Sequence, residues 1–170
     1  MVKSARPGRA TRPHSASVYD RLLDFEPDKL EEQPLGQREQ LRRYRDSIRR
    51  DLEVLLNTQQ PSQRLAKGLP ELPTSLVQFG STGFHGLMLA TREQHMALAR
   101  SLQTLIGIFE PRLKNVKVML SEDRARTSRT LALKIKGETR FADADEAVVF
   151  DTRLDPSTRQ FRISGGAARG

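Results

Sequence analysis

The chain has 170 residues, a formal net charge of +8, and neither cysteine nor tryptophan. That is one domain's worth of polypeptide, long enough to bury a core of its own; the missing cysteines exclude disulfide scaffolds and thiolate metal sites and fit a reducing, cytoplasmic compartment. With 36% hydrophobic and 5% aromatic residues, and no apolar run near the roughly 18 residues that cross a bilayer, the composition points to a lean aliphatic core without a transmembrane helix or secretory signal.

Residues 1–14 are basic and rich in breakers, with Lys3, Arg6, Pro7, Gly8, Arg9, Arg12 and Pro13. They lack the apolar content to order themselves, so a solvated tail is expected, with a basic arm docking on an acidic neighbour as the functional alternative. Residues 15–164 read as one domain and 165–170 as a frayed end. Val18, Leu22 and Leu23 suit a short helical turn, and Phe25 to Gly36, with Pro27 and Pro34, reads as a loop. Leu41, Tyr44, Ile48, Leu52, Leu55 and Leu56 then trace an amphipathic helix whose charges fall at the i,i+4 spacing of surface ion pairs, Arg42–Asp46, Asp46–Arg50 and Arg49–Glu53. Those charges read as its solvated face. Asn57 suits a left-handed closing residue, and Pro61 prevents continuation. Leu65 to Gly86 is too interrupted by glycine and proline for a long element, and its Gly80, Gly83 and Gly86 lack the Lys-Ser/Thr of a phosphate loop.

The organising stretch is Thr91 to Ser121. Thr91 with Gln94 forms a capping box, and Leu98, Leu102, Leu105, Ile106 and Phe109 draw one apolar helix stripe. Pro111 ends that helix. Beyond it Val116, Val118 and Leu120 alternate with Asn115, Lys117 and Met119, the period of a strand with one covered face. At the hinge, Glu110 faces the negative end of the helix dipole and calls for a cation; Arg112 has the planar fork for it. The residues alone favour a local salt bridge that pins the turn, with a partner contact as the other reading. Downstream, Glu122 to Arg129 is a charged connection, and Leu131, Leu133 and Ile135 mark a second strand, expected antiparallel to the first. Gly137 to Asp145 reads as an acidic bend, with Phe141 able to extend the strand. Further strands are expected around Ala147 to Leu154 and Gln160 to Ser164, joined by a turn at Asp155-Pro156-Ser157-Thr158. The fold class is α+β, with helices on one face of a small, mainly antiparallel sheet.

Phe109 to Leu113, FEPRL between helix and strand, resembles the Glu-Pro-Arg motif of the gene-25-type baseplate wedge family, which includes the TssE subunits of bacterial type VI secretion systems. SIRRDLEVLLNTQ (47–59) is similar to the family's Arg-Asp-Leu-Glu…Leu-Leu-Asn-Thr helix end. SLVQFG (75–80) resembles its Ser-Val-Leu-Asn-Tyr-Gly segment, with Gln78 and Phe79 as departures. FDTRLDPSTRQF (150–161) resembles its Phe-Asp…Leu-Asp…Phe pattern. The resemblance implies a cytoplasmic structural part of a contractile, phage-tail-like machine. It implies that Glu110, Pro111 and Arg112 meet the wedge subunits TssF and TssG, in a baseplate with TssK, and that a sheet edge receives strands of the sheath proteins TssB and TssC. No nucleic acid and no membrane insertion are implied.

The family has also carried a lysozyme label. A glycosidase usually needs two carboxylates about 5 to 9.5 Å apart; Glu110 could be one, but Arg112 beside it opposes a general-acid role, and Asp151 or Glu138 as the second would be guesses. His14, His85 and His95 show no metal-ligand spacing, and no G-x-S-x-G elbow is present. The expectation is no enzyme and no cofactor or metal. A peptidoglycan hydrolase and a basic nucleic-acid binder are the alternatives; the spread of Lys and Arg along the chain reads instead as a general preference for acidic partners.

Overall fold

The computed structural model describes residues 36–60, 69–81, 91–121, 130–142, 144–155 and 157–165. The expected tail at 1–14, the short apolar segment at 15–24, His14, His85, Gly83, Gly86, Pro156 and the connection at 122–129 lie outside the described residues. Helices α1 (Gln37–Asn57) and α2 (Arg92–Phe109) accompany strands β1 (Leu113–Leu120), β2 (Leu131–Phe141), β3 (Ala144–Asp155) and β4 (Gln160–Gly165). The strands form one sheet in the order β1-β2-β3-β4, every neighbour antiparallel. Neither helix is long and apolar enough to cross a membrane.

Alternation decides which face of the sheet is covered. Val118, Leu133, Ile135, Val148, Phe150, Leu154, Phe161 and Ile163 point inward and join Ile48, Leu52, Leu55 and Leu56 of α1 and Leu98, Leu102 and Ile106 of α2 in one core. Each large aliphatic side chain buried there contributes about 1.5–3 kcal/mol. The sheet's outer face carries most of its charged side chains and no helix among the described residues, so the expected α+β arrangement of helices on one side of an antiparallel sheet is observed. The capping box is also present: the Gln94 N–H donates to Thr91 Oγ1 at 3.3 Å, and the Thr91 N–H donates to Gln94 Oε1 at 3.0 Å.

Three local expectations are corrected. The bend expected from Gly137 onward is absent, because β2 continues inward-facing at Gly137, Thr139 and Phe141 in unbroken register with β3 as far as Phe141↔Ala144. Gly137 is a clearance, since a Cβ there would lie 3.3 Å from the Lys114 carbonyl oxygen. That carbonyl approaches because β1 carries a bulge between Lys114 and Lys117, with Asn115 at φ 51, a left-handed conformation that asparagine tolerates. Second, Asn57 is not a left-handed closing residue. It ends α1 by pairing with β4: its Nδ2 donates to the Phe161 carbonyl at 2.9 Å, and its Oδ1 accepts from the Phe161 N–H at 2.8 Å. Third, Arg42 turns back to Glu39 at 3.8 Å, while Arg49–Glu53 forms as expected at 3.2 Å. Strand β4 also includes Gly165.

The segment from Leu69 to Ser81 holds two single turns of 3-10 helix, Leu72–Thr74 and Leu76–Gln78, as broken as its composition suggests. It is anchored between the two helix ends. Phe79 packs edge-on against Phe109 with centroids 5.5 Å apart, and Ser81 donates its N–H to the Thr58 carbonyl at 2.8 Å. Gly80 sits at φ 108, where a Cβ would come within 2.5 Å of that carbonyl oxygen, so the close approach needs glycine.

Candidate functional site

The junction of α2 and β1 carries a dense network of polar contacts. Helix α2 closes when the Glu110 N–H donates to the Ile106 carbonyl at 2.8 Å; Pro111 cannot continue the ladder, and the Leu113 N–H bonds back to the Glu110 carbonyl at 3.1 Å, turning the chain into β1. The Glu110 side chain is folded under this turn and only 5% exposed. Arg112 grips it with a fork: Nε donates to Oε1 at 2.7 Å and Nη2 to Oε2 at 2.5 Å, while the Arg112 N–H also reaches Oε1 at 3.2 Å. This is the bidentate geometry that makes arginine and carboxylate specific for each other.

The guanidinium has a second set of partners on α1. Its Nη1 donates to Ser47 Oγ at 2.9 Å, and its Nη2 to Asp51 Oδ2 at 2.6 Å. One cation therefore bridges two carboxylates from different elements and ties α1 to the hinge. Burial alone would lower the Arg112 pKa, but the hydrogen bonds and charge of Glu110, followed by those of Asp51, outweigh it and raise it above the ordinary arginine range. The carboxylate misplaced at the C-terminal end of the α2 dipole is thus offset by a locked positive charge.

Of the three residues expected to form the site, the structure brings all three together but presents them differently. Pro111 is exposed, Glu110 is buried, and the Arg112 side chain is 12% exposed. Sequence reasoning missed Ser47 and Asp51, the second of which reads as one more charge on the solvated face of α1. The signal for them was their i,i+4 spacing at the margin of the Ile48–Leu52–Leu55 stripe, where a polar side chain flanks the core. Chemically, both Glu110 oxygens accept from Arg112, an arrangement for holding a shape. Asp151 and Glu138 project from the outer face of the sheet, Asp151 3.9 Å from Lys134 and Glu138 bonded at 2.7 Å to Asn115. Among the described residues no three of His, Asp and Glu gather as a metal would require.

A helix, a salt-locked Glu-Pro-Arg turn and an antiparallel sheet follow one another in the chain. The chain belongs to the family of baseplate wedge protein gp25, which it matches over residues 42–144, and so to the components of phage-tail-like baseplates. That match contains every residue of the hinge clamp. No curated protein matches the chain.

Proposed function

We propose that this chain is a TssE-type wedge subunit of a type VI secretion baseplate, a cytoplasmic structural part without catalytic turnover that joins the wedge to the contractile sheath and helps sheath assembly start. The observation that carries the reading is the clamp: Glu110, Arg112 and Asp51 hold the family's Glu-Pro-Arg turn rigid with Pro111 outermost. A turn fixed in advance loses little freedom when a partner seats on it. In this reading TssF and TssG, in a baseplate with TssK, meet Pro111 and its surroundings, and the two charges position that surface from beneath.

The sheath proteins TssB and TssC would add a strand to β1. The two edges of the sheet differ. At β4 the outward backbone groups of Phe161 are taken by Asn57, and Arg49 Nη1 reaches the Ile163 carbonyl at 3.5 Å. At β1 the Ser121 N–H bonds to Ala132, so by the alternation of an antiparallel ladder Val118 and Leu120 turn their backbone groups outward. Gln103 takes the Val118 N–H at 3.2 Å, and the groups of Leu120 have no partner among the described residues. An uncapped edge of this kind is a template for another strand.

Co-purification from cells carrying the wedge and sheath proteins tests both contacts. Pro111→Asp leaves the clamp intact and is expected to lose TssF and TssG. Leu120→Pro removes an outward N–H, a change that an edge strand tolerates, and is expected to lose TssB and TssC while keeping the wedge partners; Leu120→Ala, which trims the same half-buried side chain but keeps the N–H, is expected to retain all of them. Retention of TssF and TssG by both Pro111→Asp and Arg112→Met would defeat the hinge reading. Clearing of purified cell wall that disappears with Glu110→Gln would put a hydrolase in its place.

A further inference from the structure

The outer face of the sheet carries a charge pattern that neither the hinge nor the β1 edge uses. Lys117 of β1 stands directly opposite Lys136 of β2, and Arg153 of β3 directly opposite Arg162 of β4; all four side chains are exposed. Like charges facing each other across a ladder are destabilising, so the Lys117–Lys136 pair works against the fold that displays it. Lys134 lies between the two pairs, opposite Met119 on one side and Asp151 on the other. With rows about 7 Å apart along a strand and strands about 4.8 Å apart, these cations form a diagonal stripe across the whole sheet from β1 to β4. Lys117, Lys136 and Arg162 have no acidic partner among the described residues.

We propose that this stripe is a second interaction surface, for an acidic face of another polypeptide. Charge complementarity sets the sign of the partner, and the composition of the stripe sets its class. Asp151 sits within the stripe, 3.9 Å from Lys134, where it would repel a continuous phosphate backbone but can accept a donor from a protein surface. Met119, 38% exposed, borders the stripe and offers the apolar contact of a protein interface. The three phenylalanines of β2, β3 and β4, Phe141, Phe150 and Phe161, all point into the core. The outer face therefore lacks the aromatic platform on which single-stranded nucleic acid stacks, and a flat sheet face does not enter a groove of a duplex as a helix does.

The full chain is titrated with labelled poly-L-glutamate and, separately, with a short DNA duplex, by fluorescence anisotropy at several salt concentrations. Changing Lys117, Lys136, Arg153 and Arg162 to Gln is expected to weaken poly-glutamate binding by at least about tenfold and to flatten its salt dependence. Changing Arg38, Arg42, Arg92 and Arg100 on the helices removes the same charge and is expected to leave binding within about twofold. Because Lys117→Gln with Lys136→Gln relieves repulsion between two unpaired cations, the melting temperature of that double variant should equal or exceed that of the parent. Should the fourfold variant fail to fold, Lys136→Gln with Arg162→Gln breaks both opposed pairs and is read the same way. Equal weakening in the two sets, unchanged poly-glutamate binding, or a loss confined to the duplex would overturn the proposal, the last in favour of nucleic acid.

Discussion

Removing the guanidinium from the hinge is the sharpest test of how the domain is held together. In Arg112→Met, Glu110 loses both side-chain donors and keeps only the N–H of residue 112, at 3.2 Å in the parent, while 96% of its surface stays out of water by the 4% exposure of the parent. Deleting one member of a buried ion pair costs about 3–5 kcal/mol. Asp51, with its side chain 25% exposed, can rehydrate and adds little. In a domain of this size the corresponding fall in melting temperature is roughly 10 °C. Arg112→Lys keeps the charge without the fork and should lose about 1–2 kcal/mol. Combining Arg112→Met with Glu110→Leu should recover most of the loss, because two buried charges then leave together. Urea unfolding followed by far-ultraviolet circular dichroism suits a chain without tryptophan. A loss below about 1 kcal/mol for Arg112→Met, the range of a surface pair, or a double variant less stable than the single one, would show that the clamp does not hold the hinge.

Asn57→Ala should cost about 1–2 kcal/mol through its two bonds to Phe161 and raise light scattering as the β4 edge opens; unchanged scattering would mean that the edge is protected by other means. Gly80→Ala forces a Cβ against the Thr58 carbonyl oxygen at a left-handed φ, and should lower stability by more than about 1 kcal/mol in thermal unfolding. Thr91→Ala removes half of the capping box and should cost about 1 kcal/mol, read as faster hydrogen exchange in the first turn of α2. In the β3–β4 loop the Ser157 and Thr158 N–H groups bond to Asp155 Oδ1 and lower its pKa below 3.8. A depressed carboxylate stabilises above its unfolded pKa, and that contribution disappears as pH falls through the folded value. The Ser157 amide resonance should therefore titrate with a midpoint below 3.8; a midpoint at or above it would refute the loop geometry.

The elements legible in the sequence are those written in local pattern. The Thr91–Gln94 box, the Leu98–Leu102–Ile106 stripe, the stop at Pro111 and the alternation of Val116, Val118 and Leu120 each depend on neighbours a few residues away. What stayed hidden depends on residues far apart in the chain. Asn57 looks like a helix terminator until β4, 104 residues on, is placed beside it. Asp51 looks like one more charge in a solvated run, because its partner Arg112 is 61 residues away. Gly137 looks like a breaker because the bulge that needs its small size is on another strand. The Glu110–Arg112 pairing was visible from spacing; that it faces inward and that Ser47 and Asp51 complete it required the packing of α1.

The unequal margins of the sheet limit how copies of the chain can meet. A strand pair that joins β4 of one molecule to β1 of the next would repeat indefinitely, and the Asn57 side chain occupies the first rung of that ladder. Pairing of β1 with β1 is the remaining route, and it closes after two molecules. Edges arranged this way let two copies pair and then stop, so the chain does not extend into a filament of itself.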